Sequence, residues 1–542
     1  MGRRGMAKIT LLCSLALAAA IPACLAQETA IAAPQPESVA GRSQDPDLLS
    51  FSDLVAIAAT ENPKDDLAKR LTSLLNTPFI HSETAQSTQP HRPNVTSLGP
   101  VLRVALWNIE RGLNFEQIRS ALTDRTAFQR VMKTQGLDLR QKELIDSQLG
   151  KLQDVDVLVL NEADWGMKRT EYRDVTRELA AALHMNYAFG VEFVEVDPVF
   201  DLDTEELHLP DAQQDQRLQK DLQVDQERYH GLHGTAILSR YPIGSAHILR
   251  LPVCYDWYAR EYKAISKLEQ GRRWSAQKLF RERVARELRH GGRMALIADI
   301  SVPDLPTGQA TIVAAHLENK CPPGCRRRQM QALLAAVQSD TNPVVMAGDM
   351  NTTSRDNTPT SIRNEIMTRI RDYKFWIGQA VSHFNPLGVF QYALVPIRYF
   401  HGYHDPTAFH LPILWDNEER PLFNTLERFR FADNQTFDFR GEKDRTLPPR
   451  SRTLADSNQR AGKGFVPTYA FTRDFGGLVG RFKLDWIFVK SFVQDPRRRE
   501  QSYRFAPHFP VTMRELNDSV DDRISDHPPM TVDLPLMEPT KP

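Results

Sequence analysis

The sequence predicts an α/β protein built in layers. Apolar runs of strand length alternate with helix-period segments early in the folding region and then cluster in pairs. That order suits a layered α/β sandwich better than a purely parallel, doubly wound sheet. One run, 155–160, is apolar almost throughout, as expected of a strand covered on both faces. With 41% apolar residues, the chain has enough to bury a core of that size.

In chain order, residues 1–26 have the pattern of an export signal. Arg3, Arg4 and Lys8 make a basic start, and the apolar run 9–20 is too short to span a bilayer comfortably. A cleavage region follows at 21–27. Cutting near Ala26 would release the protein into the periplasm, the envelope or the medium. Cutting before Cys24 would leave a lipid anchor there, although Pro22 suits such a site poorly. No later segment is long and apolar enough to cross a membrane. Residues 27–99 read as a leader: an unpatterned Ala/Gln/Ser/Pro stretch over 27–50, two short helices over 51–76 interrupted at Pro63, and a polar linker over 80–99.

The main domain is expected over 100–536. Strands are predicted at 101–107, 155–160, 234–238, 294–300, 311–315, 344–347, 484–489 and 530–534, and helices at 138–152, 171–184 and 326–337. Two insertions interrupt it: an acidic, Gln-rich stretch at 197–230 and an aromatic, Pro-rich one at 360–470. Long irregular stretches of this kind commonly form lids or binding loops. Cys321 and Cys325, four residues apart, are expected to close a small disulfide loop in an oxidising compartment.

Charge is balanced, 68 Lys+Arg against 68 Asp+Glu, which excludes a global pull toward nucleic acid or an anionic membrane. Any attraction for a polyanion must be local, as in the Arg-dense 272–293 stretch, which otherwise reads as a solvated face.

Chemistry is concentrated at strand ends. Asn108 and Glu110 follow one apolar run, Asn161 and Glu162 a second, His316 and Asn319 a third, Asp349 and Asn351 a fourth; Asp485 opens a fifth, ahead of Ser525-Asp526-His527. Single polar residues there are ordinary turn chemistry; five together point to one shared site, because ligand sites in α/β folds collect where loops converge. Carboxylate and amide oxygens are hard ligands for Mg2+, Mn2+ or Ca2+, and histidines titrate near neutral pH. Neither a Ser-His-Asp spacing nor a Gly-rich nucleotide loop suggests a different reaction.

The ordered segments WNIERG, LNEADWGMKR, GLHGTAILSRYPI, AHLEN, GDMN, LDWIFV and SDH resemble those of the endonuclease/exonuclease/phosphatase superfamily, with its DNase I-like fold. The likeness covers about 101–359 and 481–536. It implies a four-layer sandwich, two mixed sheets flanked by helices, and a metal-dependent phosphoesterase. By this resemblance Glu162 is the metal carboxylate, Asn108 its amide neighbour and Asp526 a second metal carboxylate. Asp349 orients or deprotonates the attacking water, with Asn351 beside it. His527 stabilises charge on the scissile phosphate and Asp485 orients it. His316 and Asn319 contact phosphate. The cofactor is Mg2+, or Mn2+ or Ca2+. The partner is a phosphoester substrate, either nucleic acid or a phospholipid- or sphingolipid-like head group, and a monomer is expected. The alternative is a binding protein on a retired catalytic scaffold. Glu110 is left open between metal binding and an ion pair, the segment 165–169 between lining the cleft and a packed turn, and His233 between phosphate contact and a structural role; Arg240 is expected to pair with a carboxylate.

Overall fold

The structure, a computed structural model, describes residues 43–82, 89–96, 98–133, 136–196, 224–263, 288–352, 405–408, 417–439, 458–461, 464–470, 481–490 and 510–537. The expected export signal with Cys24, most of both insertions, and the Arg-dense stretch up to residue 287 lie outside the described residues.

Strands are numbered in chain order. The larger sheet runs β1 (Phe79–His81), β5 (Asn186–Glu195), β6 (Leu232–Ser239), β4 (Val157–Trp165), β3 (Gly99–Arg111), β18 (Met530–Pro535), β17 (Val511–Thr512), with β2 (Asn94–Val95) paired to β3 and β8 (Arg289–Gly291) to β5. The smaller runs β16 (Asp485–Lys490), β11 (Val344–Asp349), β10 (Gln309–His316), β9 (Met294–Ser301), β7 (Ile243–Arg250). Only β3–β4 and β10–β11 are parallel pairs within these two sheets. Two further antiparallel pairs, β12 (Arg460–Ala461) with β13 (Gly464–Phe465) and β14 (Tyr469–Ala470) with β15 (Arg481–Phe482), stand apart.

The alternation of side chains along a strand makes the layers. In β3, Leu102, Val104 and Leu106 point to the inter-sheet core and meet Leu296, Ile312 and Val345 of the smaller sheet. Ala105, Trp107 and Ile109 point the other way, under helices. Both faces of β3 and β4 are therefore apolar, which is why their sequences show no alternation. Over the larger sheet lie α1 (Phe51–Ala58), α2 (Asp65–Asn76), α3 (Phe115–Thr123), α4 (Arg125–Val131), α5 (Leu139–Gln153) and α6 (Val175–Leu183). α5 starts in a capping box between Asp138 and Gln141 and buries Ile145, Leu149 and Leu152, one face at helical spacing. Over the smaller sheet lie two helices, Pro323–Val337 and Arg420–Arg428. The result is the helix–sheet–sheet–helix sandwich expected from the sequence.

The two short helices expected in the leader are present as α1 and α2, and the segment carrying them is integral to the fold. Leu49, Leu54, Ile57, Leu71 and Leu74 belong to the same buried cluster as Trp107 and Leu160, and β1 pairs with β5.

The expected Cys321–Cys325 loop does not form. Cys325 is bonded to Cys254, 71 residues earlier, and Cys321 is a buried free thiol. The helix opening at Pro323 turns Cys325 toward the 251–256 segment; Gln329, one turn on along the same face, donates to the Pro252 carbonyl. Arg240 forms no ion pair within salt-bridge range among the described residues, contrary to expectation: its guanidinium donates to the carbonyls of Val155 and Leu183, with Asp156 and Asp154 acting only through space.

Candidate active site

Register brings the polar strand ends together. Across the smaller sheet His316 faces Asp349, and Asp349 faces Asp485. Across the larger sheet Asn108 faces Asn161. The register of β3 and β4 then shifts, between Asn108 and Arg111 in one and between Leu160 and Ala163 in the other. Glu110, Arg111 and Glu162 have left-handed backbone there, with φ of 47°, 65° and 55°. Bulges of this kind re-aim side chains beside active sites, and here they turn Glu162 in among the strand ends. Asn108 Nδ2 lies 3.3 Å from both Glu162 Oε1 and Asp349 Oδ2, joining the two sheets. Asn161 Oδ1 accepts from the Asp349 amide at 2.9 Å.

Two histidines flank Asp349. Nε2 of His316 and Nε2 of His527 each lie 3.8 Å from Asp349 Oδ2. Each has a carboxylate behind it: Asp485 Oδ2 at 2.7 Å from His527 Nδ1, and Glu192 Oε1 at 3.3 Å from His316 Nδ1. The His527 loop is clamped, since Trp107 Nε1 donates to the His527 carbonyl and Ser525 Oγ to the Asn108 carbonyl. Asn351, at φ 45°, donates its backbone N–H to Asp349 Oδ1 and its amide to the Leu317 carbonyl, so it positions Asp349. Asn319 Oδ1 is 3.4 Å from Arg293 Nη2, beside His316.

The electrostatics are those of a crowded acidic pocket. Burial raises the Glu162 carboxyl, but Arg111 and then His316, His233 and His527 outweigh it and hold it at about 2. Asp349 is raised, first by burial and then by Asp485, with the histidines offsetting only part. Asp526 is raised by burial and by Glu162, against the pull of His527. Burial disfavours the His527 imidazolium, yet Asp485, Asp526 and Asp349 lift it well above its ordinary value.

A divalent cation fits this set. Glu162 and Asp526 form its open side, with 19% and 24% of their side chains exposed. The donors are hard oxygens, and a cation relieves the repulsion that raises Asp349 and Asp526. Asp349, Asp485 and His527 also offer ligand atoms within 4.8 Å of one another, but the short Asp485–His527 hydrogen bond commits that pair to each other. Glu162 and Asp526 remain the better metal side, with Asn108 beside them, its Nδ2 toward Glu162 and its Oδ1 accepting from the Glu110 amide at 3.1 Å.

The family model described as the endonuclease/exonuclease/phosphatase family matches residues 105–527. The chain belongs to this family. The family includes hydrolases of phosphoester bonds, many of which use divalent metals. No curated protein matches the chain. Similar solved structures include an endonuclease/exonuclease/phosphatase from Beutenbergia cavernae, 16% identical, covering 80% of this chain and 71% of that one at a TM-score of 0.29. A 3'-5' exonuclease from Neisseria meningitidis is 12% identical, covering 80% and 99% at 0.34. Sphingomyelinase C from Streptomyces griseocarneus is 12% identical, with the same coverage at 0.30. At such identities and scores these neighbours bear on none of the site chemistry.

One residue of this family member, Glu192, was not among the candidates drawn from the sequence. Glu192 accepts from Thr235 Oγ1 at 2.5 Å and from Arg293 Nη1 at 2.9 Å, and Asn161 Nδ2 donates to Thr235 at 3.1 Å. This chain runs from Arg293 to the Asp349 backbone. Its one sequence signal is a glutamate in the middle of an apolar strand, since a fully buried carboxylate needs a partner. Glu110 accepts from the Asp526 amide at 3.2 Å and fastens the His527 loop to β3. His233 is buried against Asp164 at 2.8 Å, and Arg169 bridges Asp164 and Glu195 with 5% of its side chain exposed. Arg169 of the 165–169 segment is thus committed to buried ion pairs, and His233, paired with Asp164, also acts through space to lower the Glu162 pKa.

Proposed function

We propose that the protein is a divalent-metal-dependent phosphoesterase that cleaves a phosphodiester or phosphomonoester by in-line attack of water. The observation that carries this reading is Asp349, set between two carboxylate-backed histidines and linked through Asn108 to Glu162. Mg2+, or Mn2+ or Ca2+, would be held by Glu162 and Asp526, with Asn108 beside them, and when bound it neutralises phosphate charge and stabilises the leaving oxygen. Asp349 holds the attacking water and takes its proton. His527, kept protonated by Asp485, donates to the phosphoryl oxygen as negative charge grows. His316, backed by Glu192 and near Arg293, and Asn319 bind the phosphate from the opposite side. The substrate is nucleic acid or a phospholipid-like ester. Export is part of the proposal: the N-terminal basic and apolar pattern supports it, as does the Cys254–Cys325 disulfide, since disulfides persist in oxidising compartments.

The test is hydrolysis of bis-p-nitrophenyl phosphate by the full chain, dialysed against EDTA and then given Mg2+, Mn2+ or Ca2+. Activity should vanish without metal and return with it. Asp349→Ala and His527→Ala should each lower turnover about 10³-fold, as expected for loss of a proton acceptor or a charge-stabilising donor, with an unchanged circular dichroism spectrum. Activity that survives EDTA, or either substitution, would sink the proposal.

A further inference from the structure

We infer that a second anion site adjoins the catalytic one and takes a phosphate neighbouring the scissile group. The inference rests on the phosphoesterase reading and deepens it by naming the substrate class: a polyanion with adjacent phosphates.

A cleft beside the metal side is lined by Tyr469, Arg481, Arg514, Arg523, Asp526 and Pro528. It shares Asp526 with the site, and the Tyr469 ring on its wall lies 4.9 Å from the His527 ring, so the cleft adjoins the catalytic residues. Three arginines line one small cleft. Of the acids there, Asp526 belongs to the metal side, and Asp518 is met by Arg514 Nε at 3.2 Å. Arg523 Nη2 is buried with no hydrogen-bond partner among the described residues. A buried cationic N–H lacking an acceptor is costly, and a phosphate oxygen supplies one.

The backbone under Arg523 is fixed as well. Its φ of 57° is left-handed, an uncommon and costly state for a residue other than glycine. Asn114 Nδ2 holds it through the carbonyls of Arg523 at 3.4 Å and Ile524 at 2.9 Å. Asn517 donates to the Ser525 carbonyl at 2.7 Å and accepts the Ile524 amide. Arg523 is thus locked three residues ahead of Asp526 and four ahead of His527. A phosphocholine head group would bring a trimethylammonium to these arginines and be repelled. A nucleic-acid strand or a polyphosphorylated cyclitol would bring the acceptor that Arg523 Nη2 lacks.

The test compares the full chain with Arg523→Gln, Arg514→Gln and Arg523→Lys, in Mg2+. Substrates are bis-p-nitrophenyl phosphate, a thymidine dinucleotide with and without terminal phosphates, inositol hexakisphosphate, and sphingomyelin vesicles. Terminal phosphates should lower KM roughly tenfold or more in the native protein, the size expected of a charge-assisted contact. The Gln variants should lose that gain while keeping native rates on bis-p-nitrophenyl phosphate, and Arg523→Lys should keep part of it. Whichever of the dinucleotide and the inositol phosphate has the lower KM names the source. No gain from terminal phosphates, equal loss on bis-p-nitrophenyl phosphate, or a preference for sphingomyelin would overturn the inference. Calorimetric titration with inorganic pyrophosphate separates the two readings. Binding that Arg523→Gln abolishes, in a protein with no hydrolytic activity, upholds the anion site and removes the phosphoesterase; absence of native binding removes the anion site.

Discussion

Lys483 is a buried charge whose burial cost is largely uncompensated, and replacing it with methionine should stabilise the fold by a pH-dependent amount. It is 1% exposed. Its Nζ reaches Met530 Sδ at 3.6 Å and lies 4.8 Å from the Trp486 ring, with no carboxylate in salt-bridge range among the described residues. Burial pushes the ammonium down from 10.5 to about 7, against the weaker pull of Asp485. Between those pH values the unfolded chain binds the proton and the folded chain does not, so this group makes stability rise with pH across that window. Below pH 7 its cost is complete. With each pKa unit worth about 1.4 kcal/mol, the cost is about 5 kcal/mol at pH 6 and about 2 kcal/mol at pH 9. Lys483→Met keeps the stem and removes the charge, so the variant should exceed the parent by margins of that order. Guanidinium unfolding of both proteins at pH 6 and pH 9 measures this, and the difference between the two margins cancels every other titrating group. A margin independent of pH, or a variant weaker at pH 6, would refute the reasoning.

Glu192→Gln should destabilise the protein by about 1–3 kcal/mol, because Arg293 loses its 2.9 Å carboxylate contact while keeping Glu318 at 3.8 Å; thermal unfolding reads it. Burial opposes the Glu192 charge, but His316 and Arg293 hold its carboxyl well below the usual range, so its contribution is present above the ordinary carboxylate pKa and disappears on acidification; the variant should lose less stability than the parent as the pH falls below that point. Reducing the Cys254–Cys325 bond, or Cys254→Ser, should cost about 4 kcal/mol on the loop-entropy estimate for a loop of this length, read as a shift of the urea midpoint with and without dithiothreitol. Gly348→Ala places a Cβ 1.8 Å from the Ala315 carbonyl oxygen; it should cost about 3 kcal/mol or more and abolish hydrolysis by displacing Asp349, which unfolding and activity measurements on one preparation test together.

The layered fold was legible because apolar runs of strand length and apolar positions at helical spacing are local signals. The strand-end set was legible because Asn108, Glu162, His316, Asp349 and Asp485 each interrupt an apolar run at a point where packing alone would ask for a turn. Glu192 was hidden because it lies inside a strand buried at every position, and its partners Arg293 and His316 come from distant segments. The bulges that aim Glu110 and Glu162 were also hidden, since they arise from pairing between strands and leave no mark in either one. Cys254 could not be paired with Cys325 from spacing, which favours the near neighbour; the choice is made by the helix that carries Cys325. The anchoring of Leu54 and Leu71 to the main core was invisible for the same reason: helical periodicity shows which face is apolar but not what it covers.

The small strand β1 has a practical consequence. It and β8 meet β5 at opposite ends, at 187–189 and 193–195. A shortened chain beginning at residue 100 would uncover the bonding groups of Tyr187, Ala188 and Phe189 together with the apolar floor beneath α1 and α2. Exposed edges of this type recruit other chains, so such a fragment should clump where the longer protein stays dispersed, and an inactive truncation would say nothing about the catalytic residues.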